Sequence, residues 1–126
     1  MYKNCLAYII FSLIFLVVLD LGFMNLNWNM YSLQVIDVQR VQIVPRLGGM
    51  IGAYFFMILG LYWFILRNRR PVWEAIILGL VIYGVFDWTS YGLFKKWHLK
   101  TAVVDTLWGG AVFGLTTAFV YQLVPK

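Results

Sequence analysis

The chain has 126 residues, 63% hydrophobic and 12% charged, with a mean hydropathy of +0.81. Ten basic and five acidic side chains are too few to give a soluble domain its polar surface, so the composition points to an integral membrane protein and excludes an ordinary soluble enzyme. The net charge of +5 suits lipid headgroups better than nucleic acid: Arg67, Arg69, Arg70, Lys95, Lys96 and Lys100 fall in two short turns, and no basic tail or aromatic-interleaved basic patch occurs.

At about 20 residues per crossing, four spans fit and a fifth leaves almost no loops. Span 1 is expected over 6–24, LAYIIFSLIFLVVLDLGFM. Lys3 precedes it, but no small-residue cleavage site follows, so the segment reads as a retained membrane helix rather than a signal peptide. Its only charge is Asp20. Cys5 is the sole cysteine, which excludes an intrachain disulfide and any CxxC site; it reads as a small apolar residue.

Asn25 to Pro45 forms the longest connection. On a helix, Leu33, Ile36, Arg40 and Val44 share a face that Arg40 interrupts; on a strand, the alternation fails at Val35-Ile36 and Ile43-Val44. With Trp28 and Tyr31 at its start, the segment is expected on the membrane surface, a short helix being one option. Span 2 is expected over 46–66. Pro45 suits a first helical position, and Gly48 and Gly52 form a small-xxx-small pair that would admit a neighbouring helix.

Pro71 opens span 3, expected over 72–94, where Glu74 meets the positive end of the helix dipole and the three arginines before it. Span 4 is expected over 101–123. Thr106, Gly110, Gly114 and Ala118 recur at four-residue spacing, a longer packing row than that of span 2. The expected fold is therefore all-α: one four-span membrane domain over 1–126, a four-helix bundle with short turns and one longer interfacial connection.

Four spans put both termini on one side of the bilayer, called A. Asp20, Asp87 and Asp105 then lie on three helices at similar depth near the opposite side, B, with Arg46 at the B-side start of span 2 placed to meet them. Asp87 shares a helix face with Tyr83 and Tyr91, and Asp105 shares one with Thr101, Trp108 and Gly109. A carboxylate at membrane depth is expensive and marks the first place to look for function. Two readings stand. In one, Asp20, Arg46, Asp87, Asp105, Tyr83 and Thr101 form a polar pocket for a cation, protons or a small polar solute. In the other, Asp and Arg neutralise each other and pin the helices together, which suits groups within two turns of a boundary. Toward side A, spans 2 and 4 offer mainly Gly, Thr and aromatics, and no complete polar pathway is visible.

Tyr83, Asp87, Thr89, Trp97, Thr101, Asp105, Trp108 and Gly109, with Leu19-Asp20-Leu21 in span 1, resemble the pattern YxxYDLTN, a turn containing Trp, then TxxDxxWG, of a small bacterial family of predicted membrane proteins, domain of unknown function 2177. Phe86, Trp88, Ser90 and His98 stand where that pattern has Tyr, Leu, Asn and Pro. The resemblance implies four membrane helices and a B-side acidic cluster, and no activity. Similar proteins look to be encoded by large DNA viruses, which makes a virion's internal membrane an alternative residence.

The sole histidine, His98, leaves a His-based metal site or triad unsupported and reads as an interfacial side chain beside Trp97. No Walker loop, GxGxxG or GxSxG occurs, so neither a cofactor nor enzymatic activity is expected. Trp28, Trp63, Trp73 and Trp97 read as belt anchors, while Trp88 and Trp108 could shield the cluster from lipid. Basic residues tie at five a side: Lys3, Arg67, Arg69, Arg70 and Lys126 on A, and Arg40, Arg46, Lys95, Lys96 and Lys100 on B. The tighter arginines tilt side A toward the cytoplasm. Two functions are carried forward. The first is a non-enzymatic assembly component whose partners are lipid and either copies of itself or a larger membrane or virion assembly. The second is a small transporter or an ion- or proton-binding protein using the acidic cluster.

Overall fold

The computed structural model describes residues 4–41, 43 and 45–125; Lys3, Val44 and Lys126, used in the readings above, lie outside them. All the described secondary structure is helical: α1 (Cys5–Leu26), α2 (Trp28–Gln39), α3 (Leu47–Leu61, continued by a π-helical turn, Tyr62–Leu66), α4 (Val72–Leu93) and α5 (Leu99–Leu123). Four of these segments, Cys5–Leu26, Leu47–Leu66, Val72–Leu93 and Leu99–Leu123, are long and apolar enough to cross a bilayer. Their outward faces carry the exposed apolar side chains, such as Ile10, Ile14 and Val18 on α1 and Phe55 and Leu59 on α3, as helices facing lipid require.

The long connection is a helix. Asn27 breaks it from α1: its side-chain amide and its backbone N–H both donate to the Phe23 carbonyl, satisfying a helix end without continuing the helix. α2 ends where Arg40 turns left-handed, at φ 67°. Pro45 is not at a first helical position. It stands two residues before Leu47, because Arg46 takes the extended capping position.

α4 and α5 form the tightest pair. At Gly79 and Gly109 the two backbones come so close that a Cβ on either would strike the other helix: Gly79 faces the Gly109 carbonyl, and Gly109 faces the Tyr83 ring. Further along, Gly110 seats Leu80 and Gly114 seats Ile76, where an added Cβ would come within 2.8 and 2.6 Å. Small residues matter here because helices in lipid attract each other by close packing rather than by the hydrophobic effect. Gly48 and Gly52 do not behave this way; nothing lies within 4 Å of a Cβ built on either. The reason is the course of α3. Ile58, Leu61, Ile65 and Leu66, toward its A-side end, are buried in the bundle, while the half that begins at Leu47 stands away from α4.

The A side is stapled by Arg69, whose guanidinium donates to the Tyr8 hydroxyl at 2.8 Å and to the Val124 and Tyr121 carbonyls at 2.8 and 2.9 Å. The Asn4 side chain donates to the Pro125 carbonyl, so the two described chain ends meet on that side. Arg70 holds Glu74 with two hydrogen bonds. On the B side, α2 is clamped to the α4–α5 turn. The wholly buried Gln34 donates to the Lys96 carbonyl at 3.0 Å and accepts from the His98 backbone N–H at 2.7 Å. The His98 ring pairs with Asp37. His98 is thus part of a clamp rather than only an interfacial neighbour of Trp97.

Candidate functional site

The splay of α3 leaves a cavity of about 590 Å³ under α2. Asp20 from α1, Tyr83 and Asp87 from α4, and Thr101 and Asp105 from α5 all line it, joined by Tyr31 and Gln34 from α2. The rest of its wall is apolar: Met24, Val35, Ala53, Phe56, Met57, Ile82, Phe86 and Trp97. Arg46 is not there. It is exposed at the start of α3, and no carboxylate pairs with it among the described residues. The expectation that Arg46 meets the acidic cluster is therefore corrected, because the end of α3 that carries it leans away from the other spans.

The three carboxylates differ sharply in how they are satisfied. Asp20 accepts hydrogen bonds from the Tyr54 hydroxyl at 2.6 Å, the Tyr83 hydroxyl at 2.9 Å and the Trp108 indole N–H at 3.0 Å. One α1 carboxylate thereby holds α3, α4 and α5 together through neutral donors, where sequence reasoning expected an arginine. Trp108 is fixed for this by stacking on Phe23, centroids 4.1 Å apart and planes 4° apart. Asp105 accepts from the Tyr31 hydroxyl at 2.6 Å, which ties α2 across the top of the cavity. Burial first, then that hydrogen bond and the negative charge of Asp105, push the Tyr31 phenol well above its usual range, so Tyr31 remains a donor.

Asp87 is wholly buried, and neither of its oxygens has a hydrogen-bond donor among the described residues. Its polar neighbour is the carboxyl group of Asp105, another acceptor. Buried polar atoms almost always find partners, and an unpartnered carboxylate in a low-dielectric site is costly. Asp105 has the Tyr31 hydroxyl; what Asp87 lacks is a donor, such as a cationic group or a proton shared with Asp105. No group of three or more His, Cys, Asp or Glu side chains among the described residues has the arrangement to hold a metal ion.

The cavity does not continue to side A. Leu16, Val112 and Phe113 are fully buried below it, and the Phe113 ring meets Tyr83 edge-on at 6.3 Å. This apolar floor separates the carboxylates from Tyr8, Arg69 and Tyr121. Tyr91 and Trp88 also lie outside the site: both are exposed and pair with each other on the outer face of α4. Sequence reasoning misses Tyr31, Gln34 and Tyr54. The first two carry a usable signal, since Tyr31, Gln34 and Asp37 recur at three-residue steps, but that inward face is polar and a search for an apolar stripe passes over it. Tyr54 carries none, because its partner is on another helix.

Comparison with protein families matches residues 4–122 to the family described as "Predicted membrane protein (DUF2177)". No curated protein and no solved structure matches the chain. The family match takes in nearly the whole chain, which therefore belongs to that family of integral membrane proteins.

Proposed function

We propose that this member of the predicted-membrane-protein family is a non-enzymatic binding protein that takes a cation or proton-bearing solute at the Asp87–Asp105 pair. The observation that carries the reading is the state of Asp87: wholly buried, lining a cavity, and without a hydrogen-bond donor among the described residues, while Asp20 in the same cavity has three. Folding does not need such a group, since an apolar residue of similar size would avoid its desolvation penalty. Its presence fits a ligand that supplies the missing positive or hydrogen-donating group. The apolar floor of Leu16, Val112 and Phe113 supports binding in a B-side pocket over an open path through the membrane.

The test is thermal unfolding of the purified protein in lipid nanodiscs across a panel of metal cations, ammonium ions and pH values. Wild type should gain stability with at least one cationic species, by RT ln(1 + [L]/Kd), and Asp87→Asn should lose that gain. Stability that is flat across the whole panel would overturn the reading.

The second reading, an assembly component, keeps one observation. Gly48 and Gly52 present an uncovered small-residue face on α3, whereas the row containing Gly110 and Gly114 is already used within the chain. A monomer at all protein-to-lipid ratios, unchanged by Gly52→Leu, would remove it.

A further inference from the structure

The shape of the cavity and the polarity of its wall narrow the solute. Resting on the proposed role of the Asp87–Asp105 pair, we propose that the ligand is a lipophilic amine, a single ammonium group on an apolar body, that enters from the bilayer through the cleft between α3 and α4.

A volume of about 590 Å³ is far more than a bare metal ion or a proton uses and lies in the range of pockets that enclose drug-sized molecules. Its wall is apolar except at the acidic end. A fully hydrated inorganic ion would leave most of that surface facing water, whereas an amphiphile meets both parts of the wall. The charge is also selective. Three carboxylates line the cavity and no Lys or Arg is among its lining residues, so an anionic or phosphate-bearing lipid is repelled, while a lone ammonium finds Asp87 with no donor and Asp105 with one, from Tyr31. The ammonium brings up to three N–H donors, whereas the Asp87–Asp105 pair has one hydrogen-bond donor among the described residues, the Tyr31 hydroxyl on Asp105.

The route follows from what is closed and what is open. Toward side B, α2 lies across the cavity, held by Tyr31 to Asp105 and by Gln34 to the α4–α5 turn. Toward side A lies the floor of Leu16, Val112 and Phe113. Between α3 and α4, two cavity-lining phenylalanines are largely exposed: Phe56 at 68% and Phe86 at 59%. Ala53, one turn from Phe56, is exposed as well, and Gly52 next to it has open space. Small side chains at membrane depth make this a mouth facing lipid, where an apolar body is already dissolved.

The probes are methylammonium, butylammonium and octylammonium, with octanol as the uncharged control, added to nanodiscs of zwitterionic lipid; the readout is quenching or enhancement of tryptophan emission, since Trp97 is in the cavity wall. The half-saturating aqueous concentration should fall roughly fourfold per added methylene, the factor that corresponds to burying one CH₂. Octanol should give no saturable signal, and Asp87→Asn should lose the response to octylammonium. Ala53→Trp, which narrows the mouth between α3 and α4, should slow octylammonium association at least tenfold in stopped-flow mixing. This outward position is chosen so that the fold survives, and unfolding temperature checks that it does. Methylammonium or a metal cation binding as tightly as octylammonium would overturn the lipophilic ligand and leave the cation site standing. An octylammonium association rate identical in Ala53→Trp would overturn the lateral entrance. No saturable response to any ammonium ion in folded protein would overturn both the amine and the cation site beneath it.

Discussion

Truncating Asp20 and Asp87 to alanine removes the same atoms from two helices that line one cavity but should have unequal consequences. Asp20→Ala strands three donors, the hydroxyls of Tyr54 and Tyr83 and the indole of Trp108, each at 2.6–3.0 Å. Hydrogen bonds between helices in lipid are worth about 0.6 kcal/mol on average and up to about 1.7 kcal/mol, so three of them place the loss at roughly 2–5 kcal/mol. Asp87→Ala removes a buried carboxyl with no donor. Relief of its desolvation, on the order of 1–3 kcal/mol, is set against a small new void, and the balance should be neutral to stabilising. The assay is reversible unfolding in mixed micelles followed by tryptophan emission, with both variants measured against wild type. Equal destabilisation by Asp87→Ala and Asp20→Ala would refute this, because Asp87 would then already be satisfied within the folded protein and have nothing to offer a ligand.

Other expectations come from the packing and the clamp. Gly79→Ala and Gly109→Ala should each destabilise by about 1–3 kcal/mol by forcing α4 and α5 apart, while Gly48→Ala and Gly52→Ala should be neutral or slightly stabilising; thermal unfolding of the four variants decides this. Gln34→Ala removes two hydrogen bonds from a wholly buried side chain, costing about 1–3 kcal/mol locally, and should raise amide exchange across α2 well before it affects α4. The Tyr31 phenol is raised in the folded protein, so its bond to Asp105 is complete below the ordinary phenol value of 10 and is lost only as pH climbs beyond it. An alkaline absorbance titration should therefore show Tyr31→Phe missing a late-ionising phenol, not one that titrates with the exposed tyrosines.

Much of the architecture is legible from length, hydropathy and the two short basic turns, since a bilayer permits few alternatives to spanning helices. The shared depth of Asp20, Asp87 and Asp105 follows from counting crossings. Their different surroundings do not: whether a carboxylate has three donors or none depends on helix rotation and on tyrosines from other spans, which spacing along one helix cannot reveal. Arg46 shows the same limit. Its position in the sequence puts it at the correct level, but the lean of α3 carries it outward. The glycine rows separate in the same way, because Gly48 and Gly52 have the same spacing as Gly110 and Gly114 and only the second pair has a helix against it. The polar face of α2 is a different case, hidden because amphipathic searches expect the inward face to be apolar.

The Asp87 carboxyl, whose neighbour is the Asp105 carboxyl, is the group that takes a donor from the ligand. The most direct measurement follows the side-chain carboxyl ¹³C resonances of Asp20, Asp87 and Asp105, each assigned by its Asn variant, while octylammonium is titrated into nanodiscs. Asp87 and Asp105 should shift saturably while Asp20, held by its three donors, stays nearly still. An unmoved Asp87, or an Asp20 that shifts as far as Asp87, would contradict this.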